Sequence, residues 1–145
     1  MSIVVRIAEE KDLLPVQRLV AKAGLEEKGI EQHIHDFLVV EEQQKIVGTV
    51  GIEHLGVDGL LRSLVIQSES WNAKIGLEFL EVALQFAKQK GVETLYLLTK
   101  QSIQFFEYLG FHEVKEEEVP EKIRQSPHFH QYVPGVTKVM ATTFE

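Results

Sequence analysis

The side chains of this chain that could do chemistry are carboxylates, imidazoles and one well-placed guanidinium group. Glu53 follows the apolar run 46–52. A carboxylate there either takes a proton, directly or through one water, or stands as an ordinary exposed strand glutamate. His54 alternates with it and points to the opposite face. Arg62 sits inside a second apolar run, 60–66. Its planar fork suits either a two-pronged grip on an anionic ligand or a pairing with one of the many glutamates. His33 and His35 are two apart, as are His128 and His130. Residues two apart diverge on a helix, although in an extended loop they can converge. Zinc ordinarily takes a third protein ligand, and no spacing supplies one, so no metal is assigned. The chain has no cysteine. That removes thiolate nucleophiles, Cys-ligated zinc and iron–sulfur clusters, and it fits a reducing compartment.

The elements that would position these groups follow from periodicity. Residues 3–7 are β-branched and short, a first strand. From Asp12, Leu13, Val16, Leu19, Val20 and Ala23 recur at helical spacing up to Gly24, with Pro15 in the first turn. A weaker helical stretch, 26–35, precedes strands at 37–40 and 46–52, and Leu55 to Gly59 has the chemistry of a tight antiparallel turn. The strongest helix runs from Asn72 to Lys90, with Ile75, Phe79, Ala83 and Ala87 on one stripe and Gly91 closing it. Strands at 60–66 and 94–99 flank it and should be parallel, because a helix that long cannot be a hairpin connection. A short helix at 101–109, a strand near 112–114, a helical turn at 120–125, a loop at 127–135 and a last strand at 136–141 complete the order. The expected fold class is α/β, a mixed central sheet of about six to seven strands with helices on both faces.

At 145 residues the chain has room for one domain, 1–145, and enough core to fold without staples. Its formal net charge of −7 argues against non-specific nucleic-acid binding. Glu113, Glu116, Glu117 and Glu118 read as a solvated loop. No apolar run approaches a membrane span and the N-terminus has no signal-peptide pattern, so no membrane partner and a cytoplasmic location are expected. The strand-rich C-terminus leaves a homodimer as a further arrangement.

The ordered set Leu61-Arg62-Ser63-Leu64-Val65-Ile66, Ile75-Gly76, Leu95-Tyr96-Leu97-Leu98-Thr99 and Phe105-Phe106-Glu107-Tyr108-Leu109-Gly110-Phe111 resembles the GNAT family of N-acetyltransferases. Ile7-Ala8 with Asp12 fits that family's opening. The set is closest in look to the arsenic-resistance N-acetyltransferases and to the acetyltransferase domain of N-acetylglutamate synthases, which share Phe-Phe at 105–106 and a tail like Val119 to Arg124. The arsenical branch often has a cysteine near Val133; this chain has none, so thiol capture of arsenic is excluded.

The resemblance implies acetyl-CoA as co-substrate and transfer of its acetyl group to the amine of a small molecule, an amino acid or analogue. Direct attack in a ternary complex is the implied route. Pyrophosphate would lie on backbone N–H groups at the start of the long helix, from Trp71, Asn72, Ala73 and Lys74 to Ile75, Gly76 and Leu77, where unpaired donors meet the positive end of the dipole. The thioester carbonyl would face a backbone N–H among Leu64, Val65 and Ile66, with Leu64 as the catalytic choice. Ser102, Phe105 and Phe106 are assigned to the cofactor, Glu53 to the base, and Arg62 and His130 to the acceptor. In register with the family's phosphate motif stand Trp71, Lys74 and Gly76, of which Gly76 alone matches. Phe106 replaces the tyrosine that many relatives use as an acid. These departures support the rival reading, a GNAT-fold module that binds or regulates without catalysis.

Overall fold

A computed structural model describes residues 3–68 and 72–145. Strands β1 (Ile3–Ile7), β2 (Phe37–Glu42), β3 (Lys45–Leu55), β4 (Asp58–Ile66), β5 (Thr94–Thr99), β6 (His112–Val114) and β7 (Lys138–Thr143) form one sheet in the order β1-β2-β3-β4-β5-β7-β6. Among the described residues every neighbouring pair is antiparallel except β4 and β5. The helices are α1 (Leu13–Lys22), α2 (Ile30–His33), α3 (Ala73–Gln89), α4 (Ile103–Tyr108) and α5 (Glu121–Arg124). A 3-10 turn, Pro127–Gln131, occupies part of the stretch expected as loop, and β7 begins two residues later than the pattern suggests.

The sheet is covered on both faces. Phe79, Leu80, Ala83, Phe86 and Ala87 of α3, with Phe106 of α4, bury against Leu38, Val40, Val50, Ile52, Leu61, Leu95, Leu97 and Met140. Each fully buried Phe or Leu of this set contributes on the order of 1.5–3 kcal/mol. Val16, Leu19 and Val20 of α1 and Ile30 of α2 cover Phe37, Val39 and Val65 on the other face. The C-terminal segment extends that second layer, with Val119, Ile123 and Phe129 over Leu60, Tyr96, Val139 and Ala141.

Caps fix the ends of α3, the helix that carries the chain from β4 to β5. The Asn72 side chain accepts the Ile75 N–H at 3.0 Å, and Gly91 leaves the helix at φ +92°, a conformation that costs glycine little. At the other edge Arg6 holds β1 to the start of α1, donating to Asp12 at 2.7 and 3.0 Å and to Glu41 at 2.7 Å. The guanidinium, more than the opposing burial, holds the Asp12 carboxyl below its usual range.

Candidate active site

The parallel seam closes only at one end. β4 and β5 pair at Asp58↔Thr94, Gly59↔Leu95 and Leu60↔Tyr96, and at no residue beyond. At the closed end Gly59 makes the approach feasible: an added Cβ would stand 3.1 Å from the Val92 methyl carbons. Past Leu60 the strands diverge, and the reason lies on the other side of β4. Between Thr49↔Val65 and Gly51↔Arg62, one β3 residue, Val50, opposes two β4 residues, Ser63 and Leu64. This is a β-bulge, and Ser63 takes φ +61° to form it, a conformation uncommon for a non-glycine residue. The bulge also reverses the alternation of faces. Leu61 packs in the α3 layer and Val65 in the α1 layer, although residues four apart on a regular strand share a face.

The divergence opens a cleft of about 480 Å³. Leu61, Ser63 and Leu64 form one wall and Leu97, Leu98 and Thr99 the other, while Phe106, His128, Gln131 and Thr137 reach it from α4 and the C-terminal segment. Of the expected cofactor residues, Leu64, Ser102 and Phe106 line this cleft. Val65 and Ile66 lie past the bulge and pack into opposite layers. Phe105 is half exposed and sets its ring edge-on to Phe106 at 5.3 Å between centroids. Asn72, Ala73 and Lys74 are exposed at the start of α3, with Ile75, Gly76 and Leu77 half-buried behind them. Trp71 lies outside the described residues.

The start of α3 offers fewer free donors than expected. The Ile75 N–H goes to the Asn72 side chain and the Gly76 N–H to the Asn72 carbonyl at 3.0 Å. The N–H groups of Ala73 and Lys74, at the first two helical positions, are those an external anion can take. Among the described residues Gly76 has no packing reason to be glycine: an added Cβ would meet none of them within 4 Å. A glycine inside a helix costs about 1 kcal/mol against alanine, so this one suits close approach by something outside the chain. Leu77 instead borders a groove on the outer side of α3 together with Tyr108.

Glu53 and Arg62 meet the alternative pairing that the sequence left open. Arg62 Nη1 donates to Glu53 Oε2 at 2.6 Å, and both side chains are almost fully buried. The other Glu53 oxygen accepts from the Ser126 hydroxyl at 2.7 Å. Arg62 also donates from Nη1 to the Lys28 carbonyl, from Nη2 to the Glu26 carbonyl (each 2.7 Å) and from Nε to Ser63 Oγ at 3.0 Å. Gly29 stays close to this fork because a Cβ there would sit 3.2 Å from Nη1. The guanidinium, at the border of the cleft, therefore holds the 26–29 loop, the bulge and β3, and the carboxylate holds the C-terminal turn. Each buried charge is satisfied by the fold.

His130 is exposed and the structure does not bring it to the cleft; its neighbour His128 lines it. Gln131 Nε2 lies 2.8 Å from His128 Nδ1 and 3.3 Å from the His128 carbonyl oxygen. Burial first, then the Arg62 charge, lowers the His128 pKa to about 3. Ser126, Gln131 and the 26–29 carbonyls went unmarked in the sequence, where His128 stood as the partner of His130 in a pair two apart. One signal was available: Ser126-Pro127 is a helix-start pair, and it does open a 3-10 turn, with Ser126 Oγ accepting the His128 N–H at 3.2 Å. Among the described residues no group of three or more His, Cys, Asp or Glu is placed to hold a metal ion. No helix among them is long and apolar enough to cross a membrane.

The bulged strand β4 thus diverges from its parallel neighbour beside the start of the long helix α3. The Acetyltransferase (GNAT) family model matches residues 7–111, and the chain belongs to that family. Among curated relatives, an uncharacterized N-acetyltransferase, CT2212, of Chlorobaculum tepidum is 32% identical over 97 residues, covering 66% of this chain and 62% of the relative. The amino-acid acetyltransferase of Vibrio cholerae is 29% identical over 107 residues, 66% of this chain and 24% of that protein. The chain thus matches less than two thirds of either relative's length. Among solved structures, N-acetylglutamate synthase from Neisseria gonorrhoeae, complexed with coenzyme A and N-acetyl-glutamate, superposes with TM-score 0.80 at 18% identity, over 100% of this chain and 36% of that one. Rv2747 from Mycobacterium tuberculosis, in complex with CoA, does so with TM-score 0.72 at 20% identity, over 98% and 99%.

Proposed function

We propose that the chain is an acetyl-CoA-dependent N-acetyltransferase acting on a small-molecule amine by direct attack. The observation that carries this reading is the one-ended seam: three paired positions between β4 and β5, then an open cleft walled by Leu61, Ser63 and Leu64. A splayed strand edge can hold an extended amide chain as an added strand would be held. The CoA complexes of N-acetylglutamate synthase and Rv2747, which share the fold, support the same ligand.

In this reading acetyl-CoA supplies a thioester whose C–S bond breaks as the neutral amine nitrogen bonds to the carbonyl carbon. The proton shed by nitrogen passes to water, and the sulfur leaves as thiolate and is protonated from solvent. The Ala73 and Lys74 N–H groups and the Lys74 ammonium meet the diphosphate beside Gly76. The backbone of β4 at the bulge, Leu64 first, meets the charge that develops on the carbonyl oxygen. Phe106 cannot donate a proton, and the leaving thiol, with an ordinary pKa of about 8.5, does not demand a strong acid. The Glu53–Arg62 pair, with all its charged atoms engaged, positions the walls of the site, and catalysis rests on orientation and the backbone dipole.

The test is calorimetric titration with acetyl-CoA, followed by a mass-spectrometric screen of amines for acetylated products. Micromolar binding with product formation agrees with the proposal. Binding without product from any amine favours the binding or regulatory module that Phe106 and Lys74 suggest, and no heat at millimolar ligand overturns the assignment.

A further inference from the structure

His128 lines the cleft, and its chemistry follows from what holds it. The Gln131 atom that faces Nδ1 at 2.8 Å also faces the His128 carbonyl oxygen at 3.3 Å. A carbonyl can only accept, so that atom is the amide nitrogen. An amide nitrogen can only donate, so Nδ1 accepts and the ring proton sits on Nε2. The turn that carries His128 is anchored by Ser126 to Glu53, and through Glu53 to Arg62 and the 26–29 loop. The charged and titratable groups that share its cleft or its anchoring network are Arg62 and Lys100 in the lining, Glu53 behind Ser126, and His33, whose Nε2 is 3.8 Å from Glu53. The burial of the ring, and after it the Arg62 charge, oppose its protonation. A ring so placed is a neutral hydrogen-bond donor and a poor base.

The rest of the lining agrees in sign. Among the described residues the cleft is bordered by Lys100, Ser63, Thr99, Gln101, Ser102, Gln131 and Thr137, with Arg62 already paired to Glu53, and by no Asp or Glu. A second ammonium group on the acceptor would find no counter-charge there, whereas an oxygen anion would find donors. We propose that His128 is an acceptor-binding residue whose Nε2–H donates to a carboxylate or carbonyl oxygen carried by the amine substrate, so that the acceptor class is amines bearing such an oxygen and not polyamines. This rests on the N-acetyltransferase reading for the identity of the cleft, but the tautomer and charge of the ring do not.

The experiment has two arms. Long-range proton–nitrogen NMR on the intact chain reads the ring directly. The Nε2–H tautomer, unchanged from pH 5.5 to 9, is expected, with a shift when L-α-amino acids are added one at a time in the presence of CoA. An Nδ1–H tautomer, a titration near the ordinary histidine value, or no response to any amino acid would overturn the proposal, whatever the transferase assay shows. Kinetics with acetyl-CoA and matched pairs, each an L-α-amino acid and the amine lacking its carboxylate, form the second arm. His128→Ala should raise the acceptor KM roughly tenfold or more, the scale of one hydrogen bond to a charged group, with kcat and acetyl-CoA binding little changed. His128→Gln, which keeps an N–H near the Nε2 position, should recover most of the loss. A fall in kcat with loss of one limb of the pH profile would make the ring a base, and preference for the bare amine or a polyamine would remove the acceptor class; both contradict the proposal. Absence of acetyl-CoA binding by the wild-type chain defeats the transferase reading and leaves the NMR result on the ring standing.

Discussion

On its β3 side, β4 keeps partners from Asp58 to Ile66, interrupted only by the bulge; on its β5 side it keeps three, Asp58 to Leu60. Both edges belong to one strand of similar apolar residues, so the difference does not come from composition. It comes from Ser63, whose positive φ turns the strand and separates the Leu61 and Val65 side chains onto opposite faces. The closed edge is filled by protein: the Phe37 ring lies over Gly51 so closely that an added Cβ would stand 2.2 Å from Cζ. Gly76 stands in the first turns of α3, where an added Cβ would meet nothing within 4 Å among the described residues. On the proposed function the two glycines separate packing from binding: one makes room for the chain's own side chain, the other for the co-substrate.

The largest effect should come from the pair that holds both edges. Arg62→Met leaves Glu53 buried without its cation and should cost about 3–5 kcal/mol in urea unfolding, most of it recovered by also replacing Glu53 with Leu. A loss below 1 kcal/mol would mean that the charges are not buried together. Gly51→Ala, on the closed side, should cost roughly 1–3 kcal/mol by overpacking against Phe37. Gly76→Ala is its mirror on the open side. It should stabilise the free chain by up to about 1 kcal/mol while weakening acetyl-CoA about tenfold by calorimetry, near 1.4 kcal/mol. If both glycine variants merely destabilised, the contrast between the edges would fail.

The pH dependence sharpens the contrast at the C-terminal turn. His128 is neutral in the folded chain down to about pH 3, against 6.5 for an ordinary histidine. Between these values the unfolded chain binds the extra proton, so stability is full above pH 6.5 and declines as the pH falls toward 3. Asp12, with its carboxyl held low by Arg6, adds a loss of the same sign at lower pH, below the usual carboxylate value. His128→Gln should flatten the slope of stability between pH 6.5 and 4.5, leaving the acid limb below. The smallest effect is expected at Tyr108, which is 77% exposed and borders the outer groove of α3. Tyr108→Phe should leave acetyl transfer within about twofold, whereas a large fall in kcat would make that hydroxyl an acid.

The sequence carried the element order because α3 and the hairpin at Gly56 announce themselves by period and turn chemistry, and the parallel seam then follows from the length of the crossover. It did not carry the bulge. A serine at φ +61° has no compositional signature, and the run 60–66 reads as an unbroken strand. For the same reason the fates of Glu53 and Arg62 were open: their partners, Ser126 and the carbonyls of Glu26 and Lys28, lie 73, 36 and 34 residues away. Periodicity sees the face a side chain takes and not what comes to meet it. The histidine pair at 128 and 130 shows this at its narrowest, since a 3-10 turn brings one ring to the cleft and leaves the other in solvent.

The central claim is that the open half of the β4–β5 seam receives the pantetheine arm. Amide hydrogen exchange with and without saturating acetyl-CoA tests it most directly. Protection should rise at Leu64, Val65 and Ile66 and at Ala73 and Lys74, while Asp58, Gly59 and Leu60, already paired to β5, stay unchanged. Equal exchange at Leu64 to Ile66 in the two states, under conditions where calorimetry shows the ligand bound, would contradict it.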